Sequence, residues 1–217
     1  MDQKIIIENT IKYVKETLIG SEGGHDWWHI YRVWKNAKHI AQFENVDLFI
    51  VELGALLHDI ADSKFNEGDE TIGPQKAKEF LESQNLDIDT VEHIVKIVEN
   101  ISFKMSKEIQ IFKSPELDVI QDADRLDAIG AIGIARAFNY GGFKNREIYN
   151  PEIKPNLNMN KEDYKKNTAP TINHFYEKLL LLKDLMNTKT GKKLAESRHK
   201  FMKSFLDQFY EEWGGIR

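Results

Sequence analysis

A histidine and an aspartate stand side by side in Leu56-Leu57-His58-Asp59-Ile60-Ala61-Asp62, a segment that is otherwise largely apolar. An ionised carboxylate held among apolar side chains is costly unless an opposite charge pairs with it. A divalent cation is one such partner. Adjacent helical side chains diverge by about 100°, so both can still reach an ion lying over the groove between them. Asp62 follows His58 by one turn and shares its side of the helix, placed to orient a water or to hold the imidazole.

Two further ligands have to come from other helices. His29 lies in His25-Asp26-Trp27-Trp28-His29-Ile30-Tyr31-Arg32-Val33 and shares a helical face with His25. Asp124 lies in Gln121-Asp122-Ala123-Asp124-Arg125-Leu126-Asp127 and shares a face with Asp127. Two imidazoles and two carboxylates form a borderline-hard set that suits manganese, magnesium, iron, nickel, cobalt or zinc. Four protein ligands on a six-coordinate ion leave room for a water and a substrate oxygen, the arrangement of metal-assisted hydrolysis. The bland alternative is a satisfied core histidine with helix-capping aspartates.

These residues need helices to carry them. Apolar residues recur at helical spacing almost throughout, and no alternating strand pattern stands out, so the spacing predicts an all-α chain. A first helix holds Ile5, Ile6, Ile11, Val14 and Leu18 and is closed by Gly20. Helices follow over about residues 25–43 and 48–61. Gly73-Pro74 opens one that runs to about Gln84, and Asp89 caps the next, which runs to about Phe103. Pro115 opens a helix that continues through Ala137 and is ended by Gly141-Gly142. Residues 143–167, with Pro151, Pro155 and several asparagines, read as a long loop or lid. Two long C-terminal helices, about 171–186 and 192–213, complete a single domain over 1–217, its metal core within about 23–137.

With 217 residues, 41% of them hydrophobic, the chain fits one globular domain. It contains no cysteine, which removes disulfides, thiolate zinc sites, iron–sulfur clusters and thiol catalysis together. The net charge is −5 and the lysines are dispersed, which argues against a nucleic-acid surface. The first apolar run is too short for a signal peptide or a membrane span, and cytoplasmic residence is expected. A homodimer is compatible with the pattern, although no residue demands one.

In this order and context, His29, His58-Asp59 and Asp124 resemble the HD superfamily of metal-dependent phosphohydrolases. The likeness extends to the bacterial YedJ/YpgQ-like group through His25 to Val33, Leu57 to Phe65, Ile101-Ser102-Phe103-Lys104, Gln121 to Arg136 and His174 to Leu179. It implies an HD-domain helical bundle holding one divalent ion on His29, His58, Asp59 and Asp124. The family's later ligand is the aspartate preceding Arg-Leu, which selects Asp124 over Asp122 and Asp127. It also implies a small-molecule nucleotide substrate, a nucleoside triphosphate cut to monophosphate and pyrophosphate. Where the related ppGpp hydrolases carry His-Asp-x-x-Glu-Asp, this chain has Asp62 and Ser63 and departs from their pattern.

Further roles are read beside plainer ones. Asp62 or Asp127 would manage the proton, although Asp127 can equally pair with Arg125 or Arg136. His25 would relay a proton, or merely begin a helix. Lys64 would neutralise a phosphate, or sit solvated at a helix end. Arg32, Lys104, and the pair His174 and Lys178 on one helical face are candidate substrate-binding residues. His93 would matter only beside a second metal. Trp27 and Trp28 can stack on a base, one of them belonging instead to the core. Two other readings use the same site: a nucleoside monophosphate phosphatase, and a sensor that binds metal or nucleotide without catalysis.

Overall fold

The structure, a computed structural model, describes residues 2–20, 26–61, 69, 71–101, 112–159, 163 and 167–216. Four candidate residues, His25, Asp62, Lys64 and Lys104, lie outside the described residues. Among the described residues all regular structure is helical. The chain divides into two compact units, Met1–Asp124 and Arg125–Arg217.

The first unit is built around its most apolar helix. Helices α1 (Gln3–Thr17), α2 (Trp27–Ala41), α3 (Leu48–Leu57), α4 (Ile72–Ser83) and α5 (Ile88–Asn100) lead into α6 (Pro115–Asp127), which runs across the boundary between the units. Val51, Leu53, Gly54, Ala55, Leu56 and Leu57 of α3 are all buried, because α1, α2 and α5 pack around it. Gly54 allows the closest approach: a Cβ there would stand 2.6 Å from Ile120 Cδ1 of α6. Tyr13 and Phe80 stack with ring centroids 4.2 Å apart and join α1 to α4.

Short-range signals set the ends of these helices. Asp26, Asp47 and Asp87 accept backbone N–H groups in the first turns of α2, α3 and α5. The cap of α5 is therefore Asp87, and Asp89, the expected cap, lies inside the first turn. The Ser114 hydroxyl accepts the Leu117 N–H at 3.1 Å, and Pro115 takes the first helical position of α6, where its missing N–H costs nothing. The Asp47 N–H donates to Glu116 at 3.1 Å, and Gln121 donates to the Asn100 carbonyl at 3.1 Å. These two bonds fix α6 against the starts and ends of its neighbours.

Further expectations are corrected. The helix expected through Ala61 ends at Leu57, with His58 as its C-cap and Asp59 in the following turn. The helix expected from Pro115 through Ala137 is broken after Asp127, and α7 (Gly130–Phe143) begins afresh. Gly130 has φ +76°, and the Arg198 guanidinium takes the Leu126 carbonyl at 2.5 Å, so the ladder stops there. Gly141-Gly142 lie within the last turn of α7. Glycine weakens a helix by about 1 kcal/mol and does not forbid one. The first of the two C-terminal helices is divided into α8 (Thr171–Glu177) and a 3₁₀ segment, Leu179–Leu185. Leu179 and Leu182 are both buried, and a 3₁₀ turn aligns residues three apart where an α-helix would let them drift. The second is α9 (Lys189–Trp213), capped by the Thr188 hydroxyl.

The described part of the expected loop, after Phe143, is fastened to α8. Thr171 and Ile172 N–H groups donate to the Glu147 and Ile148 carbonyls at 2.8 and 3.0 Å, and Asn173 donates to the Ile153 carbonyl at 3.0 Å. The buried Glu177 carboxylate accepts the Asn156 N–H at 3.1 Å and the Asn167 amide at 2.9 Å. Asn150, Asn156 and Asn167 each accept a backbone N–H two residues on, which explains the asparagines: they make local turns. Glu177→Ala is expected to destabilise the protein by about 2–4 kcal/mol, because two donors lose a charged acceptor in a buried place. Urea unfolding of the variant measures it, and a loss below about 0.5 kcal/mol would show that the fastening is ornamental.

Candidate metal centre

Three elements of the first unit bring the candidate ligands together. His29 lies in the first turn of α2, which Asp26 fixes by accepting the His29 N–H at 2.9 Å. His58 and Asp59 follow the last residue of α3, and Asp124 lies in the last turn of α6. The end of α3 matters, because a helix that stops at Leu57 frees Asp59 to turn its carboxylate toward the same point as His58. One ligand atom from each of His29, His58 and Asp59 lies within 4.8 Å of the others. The Asp124 carboxylate stands 3.6 Å from His29 Nε2 and 4.0 Å from His58 Nε2, and Asp59 stands 4.0 Å from His29 Nε2.

The donor set fits a divalent ion. Atoms bound at about 2.1 Å from one metal stand about 3.0 Å apart when adjacent and about 4.2 Å apart when opposite. The three spacings of 3.6, 4.0 and 4.0 Å fall inside that range. His58 Nδ1 lies 2.9 Å from the Ala55 carbonyl, which can only accept, so the ring proton is on Nδ1 and Nε2 keeps its lone pair for the site. Burial lowers the pKa of His58, and the carboxylates of Asp124 and Asp59 only partly oppose it, so the imidazole stays neutral as a ligand must. The imidazole side chains are 3% and 4% exposed, against 20% for Asp59 and 37% for Asp124, so the cluster opens toward solvent on its carboxylate side.

The two His-Asp pairs of the sequence therefore serve different ends. Asp26 is a helix cap, and Asp59 belongs to the cluster. His93 is tied to the start of α6, with Nε2 3.1 Å from Ser114 Oγ and 3.5 Å from Glu116 Oε2. Arg32 is half-buried on α2, one turn beyond Trp28.

In the second unit, Asp127 is buried and forms a salt bridge with Arg136. Of its two readings this is the plainer one. His174 is half-buried, and burial with the charges of Lys178 and Arg146 lowers its pKa to about 3. Arg146 was not among the sequence candidates, since nothing in its local pattern marks it. The segment fastened to α8 also walls a cavity of about 220 Å³ with Tyr149, Pro155, Tyr176 and Tyr210.

A histidine held neutral in the folded chain makes stability depend on pH. As pH falls below the unfolded value of about 6.5, the unfolded chain takes up a proton that the folded chain refuses until about 3. Stability is therefore lost across that window, with a slope of at most about 1.4 kcal/mol per pH unit from this group. His174→Gln is expected to lose less stability than the parent between pH 6.5 and 4.5, by about 2 kcal/mol. Urea unfolding at the two pH values checks it, and parallel losses in both proteins would show that His174 protonates freely.

The fold and the cluster together define an HD-type hydrolase. Residues 27–129 match the HD domain family, and the chain belongs to the HD superfamily of hydrolases. It is 37% identical over 208 residues to YpgQ of Bacillus subtilis, covering 94% of this chain and 92% of that one. An HD-superfamily hydrolase from Bacillus thuringiensis superposes with a TM-score of 0.79 at 44% identity, covering 98% of each chain. YpgQ in complex with ADP superposes with a TM-score of 0.75 at 36% identity, covering 97% of this chain and 100% of that one. No helix among the described residues is long and apolar enough to cross a membrane.

Proposed function

We propose that this chain is a divalent-metal-dependent phosphohydrolase of nucleotides. It takes one water and a nucleoside triphosphate, breaks the bond between the α-phosphorus and its bridging oxygen, and releases monophosphate and pyrophosphate. The observation that carries the reading is the cluster of His29, His58 and Asp59, with the Asp124 carboxylate 3.6 and 4.0 Å from the two imidazoles. The nucleotide is supported by the similar YpgQ, which binds ADP. Cutting at the α-phosphorus follows the resemblance of the sequence motifs.

His29, His58, Asp59 and Asp124 would hold a divalent ion, manganese among the suitable ones, which would acidify a water and supply positive charge for the phosphate oxygens. The chain does the rest. The Ala55 carbonyl holds His58 in the tautomer that offers Nε2. Asp62, three residues beyond Asp59, is the proposed acceptor of the water's proton, with His25 as relay. Lys64, Arg32, Lys104, His174 and Lys178 are the proposed binders of phosphate oxygens, and cytoplasmic residence goes with such a substrate.

Incubation of the protein with manganese and a panel of nucleoside tri-, di- and monophosphates tests this, with products identified by ³¹P NMR. Equal amounts of monophosphate and pyrophosphate from a triphosphate are expected. Orthophosphate from monophosphates alone would instead make the enzyme a nucleotide phosphatase. Stabilisation by nucleotide with no product would make it a sensor.

A further inference from the structure

We propose that Trp28 is the platform on which the nucleotide's base stacks, and that it makes the site favour purines; this rests on the nucleotide reading above. Three tryptophans lie on α2, and two of them are occupied. Trp27 packs against the core of the first unit, with the Lys15 ammonium 4.8 Å above its ring. Trp34 donates its indole N–H to Glu52 at 3.0 Å and carries Lys38 on its ring at 4.9 Å. Trp28 alone of the three is 60% exposed, touched at 5.9 Å by Tyr31 in an edge-to-face contact.

Its place on the helix gives the exposure a use. The buried face of α2 carries His29, Ile30, Val33, Ala37 and Ile40. At about 100° per residue, His29 marks one border of that face. On the solvent side of His29 the helix presents Asn36, Arg32, His39 and then Trp28, about 100° from His29, whereas Trp27 and Trp34 lie past Ile30, beyond the opposite border. Trp28 is therefore, of the three indoles, the one nearest His29 around the helix, and its neighbour in the same turn. Cleavage at the α-phosphorus puts that phosphorus at the ligand cluster, and only one sugar separates it from the base. The base must then lie beside the cluster, within reach of a side chain adjoining His29.

A protein-docking role is less suited to this residue. Phe43, the next large exposed apolar side chain among the described residues, lies beyond the opposite end of α2, so Trp28 is the one large exposed apolar side chain that helix carries. A single exposed indole beside a polar cluster suits one planar ring. Stacking accepts any base and gains with ring area, which favours purines over pyrimidines.

Steady-state kinetics with ATP and CTP on the parent, Trp28→Ala and Trp28→Phe, with an AMP titration followed by tryptophan fluorescence, tests the proposal. Trp28→Ala should raise KM for ATP about ten- to a hundredfold, with kcat within about threefold of the parent. The preference for ATP over CTP should vanish with it, and Trp28→Phe should restore most of the affinity. AMP should quench the parent and leave Trp28→Phe nearly unquenched. An ATP KM within about twofold of the parent in Trp28→Ala, a loss confined to kcat, or equal quenching in Trp28→Phe would each overturn the proposal. If the parent turns over no nucleotide at all, the reaction proposed above fails, while the AMP titration still decides whether Trp28 holds a base.

Discussion

Asp59→Ala is expected to lower kcat by about a thousandfold or more, because it removes a ligand and with it several kcal/mol of phosphate charge stabilisation. The loss should not come from unfolding. Asp59 lies in the turn after α3, its side chain is partly exposed, and in the metal-free protein it adds negative charge beside Asp124. Metal-free Asp59→Ala should be as stable as the parent or slightly more so. Manganese should then raise the melting temperature of the parent and not of the variant, since only a site that binds in the folded state stabilises by mass action. Turnover and melting curves measured on the same preparations separate lost chemistry from lost fold. Near-normal turnover would mean that the carboxylate lies near a site it does not serve.

The second large effect is on stability. Asp127→Ala leaves the Arg136 guanidinium without its buried carboxylate and withdraws negative charge from beside Arg198 as well. Breaking a buried pair from one side costs about 3–5 kcal/mol, and Arg136 is partly exposed, so about 3 kcal/mol is expected. In a chain of this size that lowers the melting temperature by roughly 6–12 °C. Because the carboxylate is engaged by Arg136, Asp127→Asn should lose more stability than kcat. Full stability with kcat reduced a hundredfold would instead make Asp127 the residue that handles the proton.

The candidate centre was largely legible in the sequence because its chemistry breaks the local rule. Polar His58 and Asp59 stand where α3 should continue apolar, and only a paired charge makes that tolerable. The all-helical class was legible for the complementary reason, since apolar spacing repeats wherever a helix has one side to bury. What the sequence hid depends on distant partners. Asp26 and Asp59 follow histidines alike, and only the positions of helix ends make one a cap and the other part of a cluster. The break at Gly130 goes with a donor from Arg198, far along the chain, on the Leu126 carbonyl. The 3₁₀ turn at Leu179 and Leu182 depends on what those leucines pack against. Trp27 and Trp28 are chemically identical neighbours, and burial alone distinguishes them.

Equilibrium titration of manganese into metal-stripped protein, for the parent and for Asp124→Ala, reads the shared centre most directly. Saturation at one ion per parent chain is expected, with binding in Asp124→Ala weakened at least about a hundredfold. Identical stoichiometry and affinity in the two proteins would contradict a centre built jointly by α2, the end of α3 and α6.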